Sequence, residues 1–302
     1  MKKIKYNLLA INFPYVIVTL VYGFLTWVIF GMSVTAFWIT YLIYVFSMVV
    51  AFSIVGEYLL RFLMNVRRPM TQKEKDYLIP IFIDVYADVI RKRNRKFTKN
   101  GYKVAGNISI YISDSMSINA YCFGSRTIVV TKGAINTFSE EQLKGIIAHE
   151  FGHIVHGNTK ALLFNKIGNG IFSLAFLPIA IIFKLTERGI KFIDSDNLRF
   201  KRVNSTLFII SIIKYIFTAI QSFLNLFSGI ILSANSRYCE YLADYYAFCI
   251  GYGEELKEAL YLISEMSFSR EQSIDKRLLQ SHPLIARRIE KLELLFEIKR
   301  KL

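Results

Sequence analysis

The chain has 302 residues, of which 53% are hydrophobic, and its mean hydropathy of +0.36 is high for a wholly soluble protein. The net charge is +15, but the densest basic run, 91–96, has no nucleic-acid fold signature beside it, so no nucleic-acid partner is expected. Basic segments next to membrane spans, which also meet anionic lipid, account for the charge instead.

The first predicted elements are two membrane helices. No Asp, Glu, Lys or Arg occurs between Lys5 and Glu57, and a bilayer core requires about 20 apolar residues per helix. The stretch therefore predicts one span from Asn7 to Phe30 and another from Ser33 to Gly56, joined by a turn at 31–33. A buried hairpin or a secretory signal is the alternative, although the apolar core of a signal has only about 7–15 residues.

The basic residues around these spans predict their orientation. Lys2, Lys3 and Lys5 precede the first span, and the turn at 31–33 carries no charge. The positive-inside rule therefore places the N-terminus in the cytoplasm, to which the second span returns the chain.

Residues 64–161 are expected to form the first part of a cytoplasmic body. Thr71-x-x-Glu74 is a capping box that opens a predicted helix from Thr71 to Ile90, and Pro80 predicts a kink or a new helix start inside it. Strands are predicted at 108–112, 117–123 and 127–131, with Gly124-Ser125 as the turn between the last two.

The next predicted helix begins near Ser139, ends near Gly157 and carries an H-E-x-x-H motif. His149 and His153 are four residues apart and share one helical face, so both imidazoles can bind a single zinc ion while Glu150 points to one side of it. A charged helix face is the alternative, but the apolar segments that flank this helix argue against it.

Two further apolar segments follow, and their topology is less certain. Ile167 to Phe183 is uncharged for 17 residues and Tyr215 to Asn235 for 21, lengths that allow a span. The loop 184–202 between them carries six basic and three acidic residues, so two full crossings place a basic loop outside, against the charge rule. Two crossings are favoured, and a hairpin that dips into the membrane is the alternative.

Zinc in a catalytic site needs a third protein ligand and an open position for water. The long motif with a third histidine is excluded because Thr159 stands at that position. His156 is a weaker candidate, since three consecutive ligands on one helix strain a tetrahedral site. Glu240 is the better one, and Asp244, one helical turn further on, can accept the second ring N–H of a ligating histidine. A solvated pair of acids on a surface helix is the alternative.

These features predict a mainly α membrane protein with about four transmembrane helices and a cytoplasmic, zincin-like α+β catalytic domain with a small β-sheet. Its predicted parts are an N-terminal transmembrane hairpin (1–63), the first catalytic part with the motif helix (64–161), a second transmembrane hairpin (162–235) and the second catalytic part (236–302).

The order of the features resembles that of the HtpX membrane zinc endopeptidases, relatives of the CAAX prenyl endopeptidases. Asn119 to Gly124 is similar to the family's N-A-x-x-x-G strand before the catalytic helix, and Ser281-His282-Pro283 with Arg288-Ile289 is similar to its C-terminal signature. The likeness covers nearly the whole chain, and the loop 184–202 departs from it by its length and charge. The resemblance implies that His282 acts as an oxyanion-side donor, as a removable fourth zinc ligand or as part of a structural turn, and that Arg288 forms a structural or site-rim ion pair.

The predicted function is that of an integral-membrane endopeptidase with one Zn2+ per chain and Glu150 as the general base for the attacking water. Extended polypeptides of misfolded membrane or membrane-proximal proteins are the expected substrates. The strand with Asn119, Ala120 and Tyr121 offers its edge to them, so that the substrate adds as another strand. The lipid bilayer is the other partner, and the expected location is a bacterial inner membrane, with the catalytic domain in the cytoplasm.

Three alternatives remain open at this point. A regulatory membrane metallopeptidase with one dedicated peptide or repressor substrate would use the same residues. An intramembrane protease needs its motif inside a span, whereas Glu140, Glu141 and Lys144 lie just upstream of this one. A membrane scaffold with a vestigial metal site is the non-enzymatic alternative, and the complete set of ligands argues against it.

Overall fold

The structure, a computed structural model of the chain, describes residues 8–29, 31–96, 107–157, 159, 236–267 and 284–301, with single positions between 181 and 230. Helices dominate these ranges, together with one small mixed sheet, as the sequence predicts. Most of the predicted second membrane hairpin (162–235) with its charged loop (184–202) lies outside the described residues, and so does His282.

The N-terminal part consists of three helices, α1 (Leu8–Ile29), α2 (Val34–Phe52) and α3 (Ile54–Leu63). The prediction that the second apolar helix continues to Gly56 is wrong, because Ser53 interrupts it. The extended backbone of Ser53 ends α2, and its hydroxyl accepts the Gly56 N–H and so caps the start of α3.

Within the ranges that the structure describes, no helix has both the length and the apolar character that a membrane span requires.

Four strands form the sheet in the order β1-β2-β4-β3, with β2 and β4 parallel and the other pairs antiparallel. The predicted strands are confirmed, although β3 begins at Ala120 and is shorter than predicted. Among the described residues β3 pairs with β4 alone, so β3 is an edge strand. The strands are β1 (Val66–Arg67), β2 (Ser109–Ser113), β3 (Ala120–Phe123) and β4 (Thr127–Thr131).

Both faces of the sheet are covered. The alternation of Ile110 and Ile112 with other residues predicts one buried face for β2, yet Tyr111 between them is buried as well. The reason is that α3 lies on the second face, where Leu60 packs against the cluster that contains Tyr111. The central strand β4 is consequently buried at every residue.

The remaining helices form a common core with the other face of the sheet. In α4 (Gln72–Lys96) the helix continues through Pro80, so of the two predicted alternatives, a kink or a new helix start, the new start is wrong. Leu78, Ile81 and Val85 of α4 are buried in the core, and this burial outweighs the one backbone hydrogen bond that proline removes. The helices are α4 (Gln72–Lys96), α5 (Lys132–Thr137), α6 (Glu140–His156), α7 (236–250), α8 (Gly253–Ser267) and α9 (Ile285–Arg300).

The motif helix α6 has the boundaries that the sequence predicts. Ser139 is its N-cap and forms a reciprocal capping box with Gln142, and Gly157 is its C-cap. Thr137, two residues before the N-cap, does not take part in it, since its hydroxyl donates to the Gly133 carbonyl within α5. α6 packs against α4, α8 and β3, so the motif lies at the centre of the fold.

Candidate metal centre

A close approach of α6 and α7 builds the site. A Cβ atom on Gly152 would lie only 2.7 Å from the Ala243 Cα atom, so no residue other than glycine permits this spacing. Phe151 is fully buried and stacks on Phe82 and Tyr86 of α4 at centroid distances of 5.7 and 5.6 Å. The stacking fixes α6 to α4, and the glycine lets α7 lie directly against the motif.

Three side chains bring their donor atoms together between these two helices. The Nε2 atoms of His149 and His153 lie 3.2 Å apart. Glu240 Oε1 lies 3.3 Å from His153 Nε2, and Glu240 Oε2 lies 3.4 Å from His149 Nε2. Ligands at bond lengths of about 2.0–2.1 Å around a tetrahedral zinc ion are about 3.3–3.4 Å apart. Two imidazole nitrogens and a carboxylate are a donor set that zinc accepts, so the residues present fit this ion.

Asp244 fixes the orientation of one imidazole. His149 Nδ1 lies 2.8 Å from Asp244 Oδ1, and because an ionised carboxylate can only accept, Nδ1 donates its proton. The Nε2 atom of His149 then points towards His153 and Glu240. Of the two histidines that the sequence offers as partners of Asp244, the structure brings His149 to it.

Arg288 of α9 is buried inside the same cluster. Its Nε and Nη2 atoms donate to the two carboxylate oxygens of Asp244 at 2.8 and 2.6 Å, and Nη1 lies 3.2 Å from Glu240 Oε2. Nη2 also lies 3.3 Å from His149 Nδ1, but both atoms carry protons, so this is a contact without a hydrogen bond. The ion pair predicted for Arg288 therefore lies in the interior of the site.

These contacts set the charges of the cluster. Burial and the Arg288 guanidinium lower the pKa of His149, but hydrogen bonds to the carboxylates of Asp244 and Glu240 outweigh them and raise it to about 9. Burial raises the pKa of Asp244, and Arg288 together with His149 outweighs burial and holds it below its usual value. A metal ion that enters the site must therefore displace a proton from His149.

Glu150, the acidic residue of the motif, is buried next to the edge strand. Its side chain is 6% exposed, and its backbone carbonyl accepts a hydrogen bond from the Cys122 thiol at 3.4 Å. Burial raises the pKa of Cys122, and the charge of Glu150 adds to the rise. The carboxylate of Glu150 is thus close to β3, the strand predicted to bind substrate.

Hydrogen bonds between Asn119 and Thr131 fix the position of the chain where β3 begins, at Ala120. The Asn119 N–H donates to the Thr131 hydroxyl at 3.1 Å, and the Asn119 carbonyl accepts the Thr131 N–H at 3.1 Å. Ala120 and Cys122 pack against the core that contains α6, whereas Tyr121 packs on the side of α3.

His156 does not join the ligand cluster. Its Nδ1 donates to the Gly152 carbonyl at 2.6 Å within α6, and burial lowers the pKa of His156 to about 4. His156 therefore remains neutral and holds the last turn of α6, in agreement with its weaker candidacy as a ligand.

Glu57 is the residue that the sequence reasoning missed. It is 5% exposed on α3, and its carboxylate accepts the Ser125 N–H at 2.6 Å in the turn between β3 and β4. Glu57 is the first acidic residue of the chain and directly follows the charge-free segment. That isolated position is the signal by which it could have been noticed.

Comparisons with known proteins agree with the predicted resemblance. The profile of peptidase family M48 matches residues 84–295. A "Protease HtpX homolog" of Bacteroides fragilis is 29% identical over 189 residues, which cover 58% of this chain and 54% of that protein. Another, from Dictyoglomus turgidum, is 26% identical over 289 residues, which cover 86% and 82%.

This chain thus spans about half the length of the first relative. Among solved structures, the crystal structure of S. mikatae Ste24p is similar, with 20% identity and a TM-score of 0.49 over 94% of this chain and 63% of that one.

Proposed function

Because the chain belongs to peptidase family M48, we propose that it is a zinc-dependent endopeptidase whose metal is held by His149, His153 and Glu240. The observation that carries the proposal is the convergence of the three donor atoms from α6 and α7, at the spacings of 3.2–3.4 Å described above. Surface acids paired by chance would be exposed, whereas Glu240 is 3% exposed.

Each residue around the proposed metal site has a separate role in peptide hydrolysis. A bound zinc ion would supply Lewis-acid activation of water and of the peptide carbonyl. Glu150 accepts the proton of the attacking water and passes it to the leaving amine. Asp244 holds His149 in the tautomer whose Nε2 would be available to a bound zinc ion, and Arg288 helps to hold the pKa of the Asp244 carboxyl below its usual value.

The edge strand β3 is the proposed substrate platform. Extended polypeptides add to a free sheet edge by backbone hydrogen bonds, and such binding depends more on shape than on sequence. Ala120 and Tyr121 lie on the edge strand, and the next residue, Cys122, contacts the backbone of Glu150. A peptide on this edge lies beside the general base, so unfolded polypeptides are the proposed substrates. His282 stays a prediction as an oxyanion-side donor or a removable fourth ligand.

The N-terminal part is proposed to bind the chain to a membrane. Residues 6–56 carry no charge, and α3 presents outward the side chains of Tyr58, Phe62 and Leu63, which are 68%, 76% and 66% exposed. Arg68, which is exposed, follows a few residues later, where it can meet anionic lipid. A bacterial inner membrane, with the catalytic site on its cytoplasmic side and membrane or membrane-proximal proteins as substrates, fits this arrangement.

The test is zinc content and casein cleavage by the detergent-purified full chain, with and without a chelator, alongside Glu150→Gln. We expect about one zinc per chain in both proteins, cleavage that the chelator abolishes, and a rate in the variant lower by about 10²–10⁴-fold. Equal activity in Glu150→Gln would refute the role of Glu150. A chain that binds no zinc and cleaves nothing would favour the membrane scaffold.

A further inference from the structure

The carboxylate of Glu57 is buried between α3 and the sheet. Its Oε1 atom accepts the Ser125 N–H at 2.6 Å and the Ser125 hydroxyl at 3.1 Å, and Oε2 lies 3.4 Å from the Thr127 hydroxyl, which donates to it. Hydrogen bonds to an ionised acceptor are stronger than those between neutral groups. One side chain of α3 therefore binds the β3–β4 turn at three points.

The turn is shaped to receive this carboxylate. Gly124 has a φ of +64°, and a Cβ atom there would lie 2.3 Å from the Glu57 carboxyl carbon. The Gly124 carbonyl accepts a hydrogen bond from Thr159, which follows the end of the motif helix. The turn is thus held by α3 on one side and by the residue beyond α6 on the other.

This turn controls the position of the edge strand relative to the site. β3 ends at Phe123, directly before Gly124. One residue earlier, the Cys122 thiol donates to the backbone carbonyl of Glu150 at 3.4 Å. A shift of the turn consequently moves β3 with respect to the general base, and a misplacement of about 1 Å at a reacting group can cost about 100-fold in rate.

We infer that Glu57 is a positioning residue that couples α3 to the substrate-binding edge strand through the Gly124-Ser125 turn. This inference rests on the proposed function, in which β3 binds the polypeptide substrate. Glu57 touches neither substrate nor metal and acts through the turn. Through Glu57, the position of β3 depends on that of α3, the helix that follows the apolar hairpin.

The first experiment measures hydrogen exchange of the full chain in detergent, which needs no activity. In Glu57→Ala we expect the amides of 120–123 to exchange about 5- to 20-fold faster, the loss expected when a charge-assisted hydrogen bond is removed. The amides of β2 should exchange as in the wild type. Glu57→Gln keeps an oxygen that accepts the Ser125 N–H, so it should restore most of the protection.

The second experiment measures cleavage of an extended, quenched fluorescent peptide by the same proteins. Glu57→Ala should raise KM by about 5- to 20-fold and leave the zinc content at the wild-type value. Glu74→Ala is the matched control, because the Glu74 carboxylate binds Arg67 at 2.6 Å and so anchors β1 at the opposite edge of the sheet. This control should lose stability without a change in KM.

The outcomes separate the inference from the function on which it rests. Wild-type chain that cleaves nothing refutes the proposed function, while the exchange rates still report on the coupling. Unchanged exchange at 120–123 in Glu57→Ala, an unchanged KM, or an equal rise of KM in Glu74→Ala would each overturn the inference. If Glu57→Ala does not fold, Ser125→Ala removes one donor only and should raise KM by about two- to fourfold, and an unchanged KM there would overturn it equally.

Discussion

Glu57 and Glu240 are both buried carboxylates that reach from one helix to another element, but their partners differ in charge. The described partners of Glu57 are a backbone N–H and two hydroxyls, which are neutral. Glu240 lies beside the guanidinium of Arg288 and the imidazoles of His149 and His153. The described contacts of the first carboxylate are therefore hydrogen bonds from neutral donors, which hold two elements together as an anchor. The partners of Glu240 include ionisable imidazoles. These imidazoles can lose a proton when a metal ion binds.

The two regions also depend on glycine in the same way. Gly152 admits Ala243 to the motif helix, and Gly124 admits Glu57 to the β3–β4 turn. In both cases the missing side chain determines the shape of the contact, and the charge of the partners determines its chemistry. Variants that change one feature at a time therefore separate the metal site from the anchor.

The largest effect is expected from removal of the buried cation. Arg288→Leu leaves Asp244 and Glu240 with His149 as their one remaining described counter-charge, and removal of one partner of a buried ion pair costs about 3–5 kcal/mol. In the presence of a chelator, the free energy of unfolding of the variant should be much lower than that of the wild type. Excess zinc should restore part of this free energy because zinc binds the folded state. Denaturant unfolding with and without zinc measures both the loss of stability and its recovery. Arg287→Leu, an exposed neighbour on α9, should change stability by less than about 0.5 kcal/mol, and equal losses in the two variants would contradict the assignment.

A smaller effect is expected from the two glycines. Gly152→Ala should cost about 1–3 kcal/mol by overpacking and lower the zinc content, since it pushes α7 away from the motif. Gly124→Ala should instead leave zinc bound and speed hydrogen exchange in β3. Gly23→Ala in α1 is the control, because the nearest atom to its added Cβ is 3.9 Å away. Zinc lost from Gly124→Ala, or retained in full by Gly152→Ala, would break the distinction between the two regions.

The smallest effect is expected when Asp244, which accepts a hydrogen bond from the candidate ligand His149, is altered. Asp244→Asn keeps the shape of the side chain but removes its charge from His149 and Arg288, so zinc affinity should fall by about 10- to 100-fold. Competition with a coloured chelator measures the change. Asp84→Asn, whose side chain is 61% exposed, should bind zinc as the wild type does. Undiminished affinity in Asp244→Asn would show that the tautomer of His149 needs no such support.

The three candidate metal ligands could be proposed from the sequence because two of them belong to one local motif. Two histidines four residues apart define one helical face, and the need for a third ligand leads to Glu240 with Asp244 one turn later. The choice of His149 as the partner of Asp244 was not predictable, since it depends on the crossing of α6 and α7.

Features that arise only from tertiary packing were missed. Nothing in the periodicity of β2 shows that α3 will cover its second face and bury Tyr111. The sequence did not indicate the helix break at Ser53, because the residues on both sides of it are apolar. Glu57 appeared as the end of a charge-free segment, and its role follows only from the turn that folds against it.

The measurement that tests the central claim most directly is the zinc content of purified Glu240→Ala, compared with that of Glu258→Ala, an exposed residue of α8. Two imidazoles alone leave the site short of the three protein ligands that it needs. We therefore expect about one zinc per chain in the wild type and in Glu258→Ala, and less than about one tenth of that in a folded Glu240→Ala. A folded Glu240→Ala that retains about one zinc per chain would contradict the claim that α6 and α7 share a metal ion.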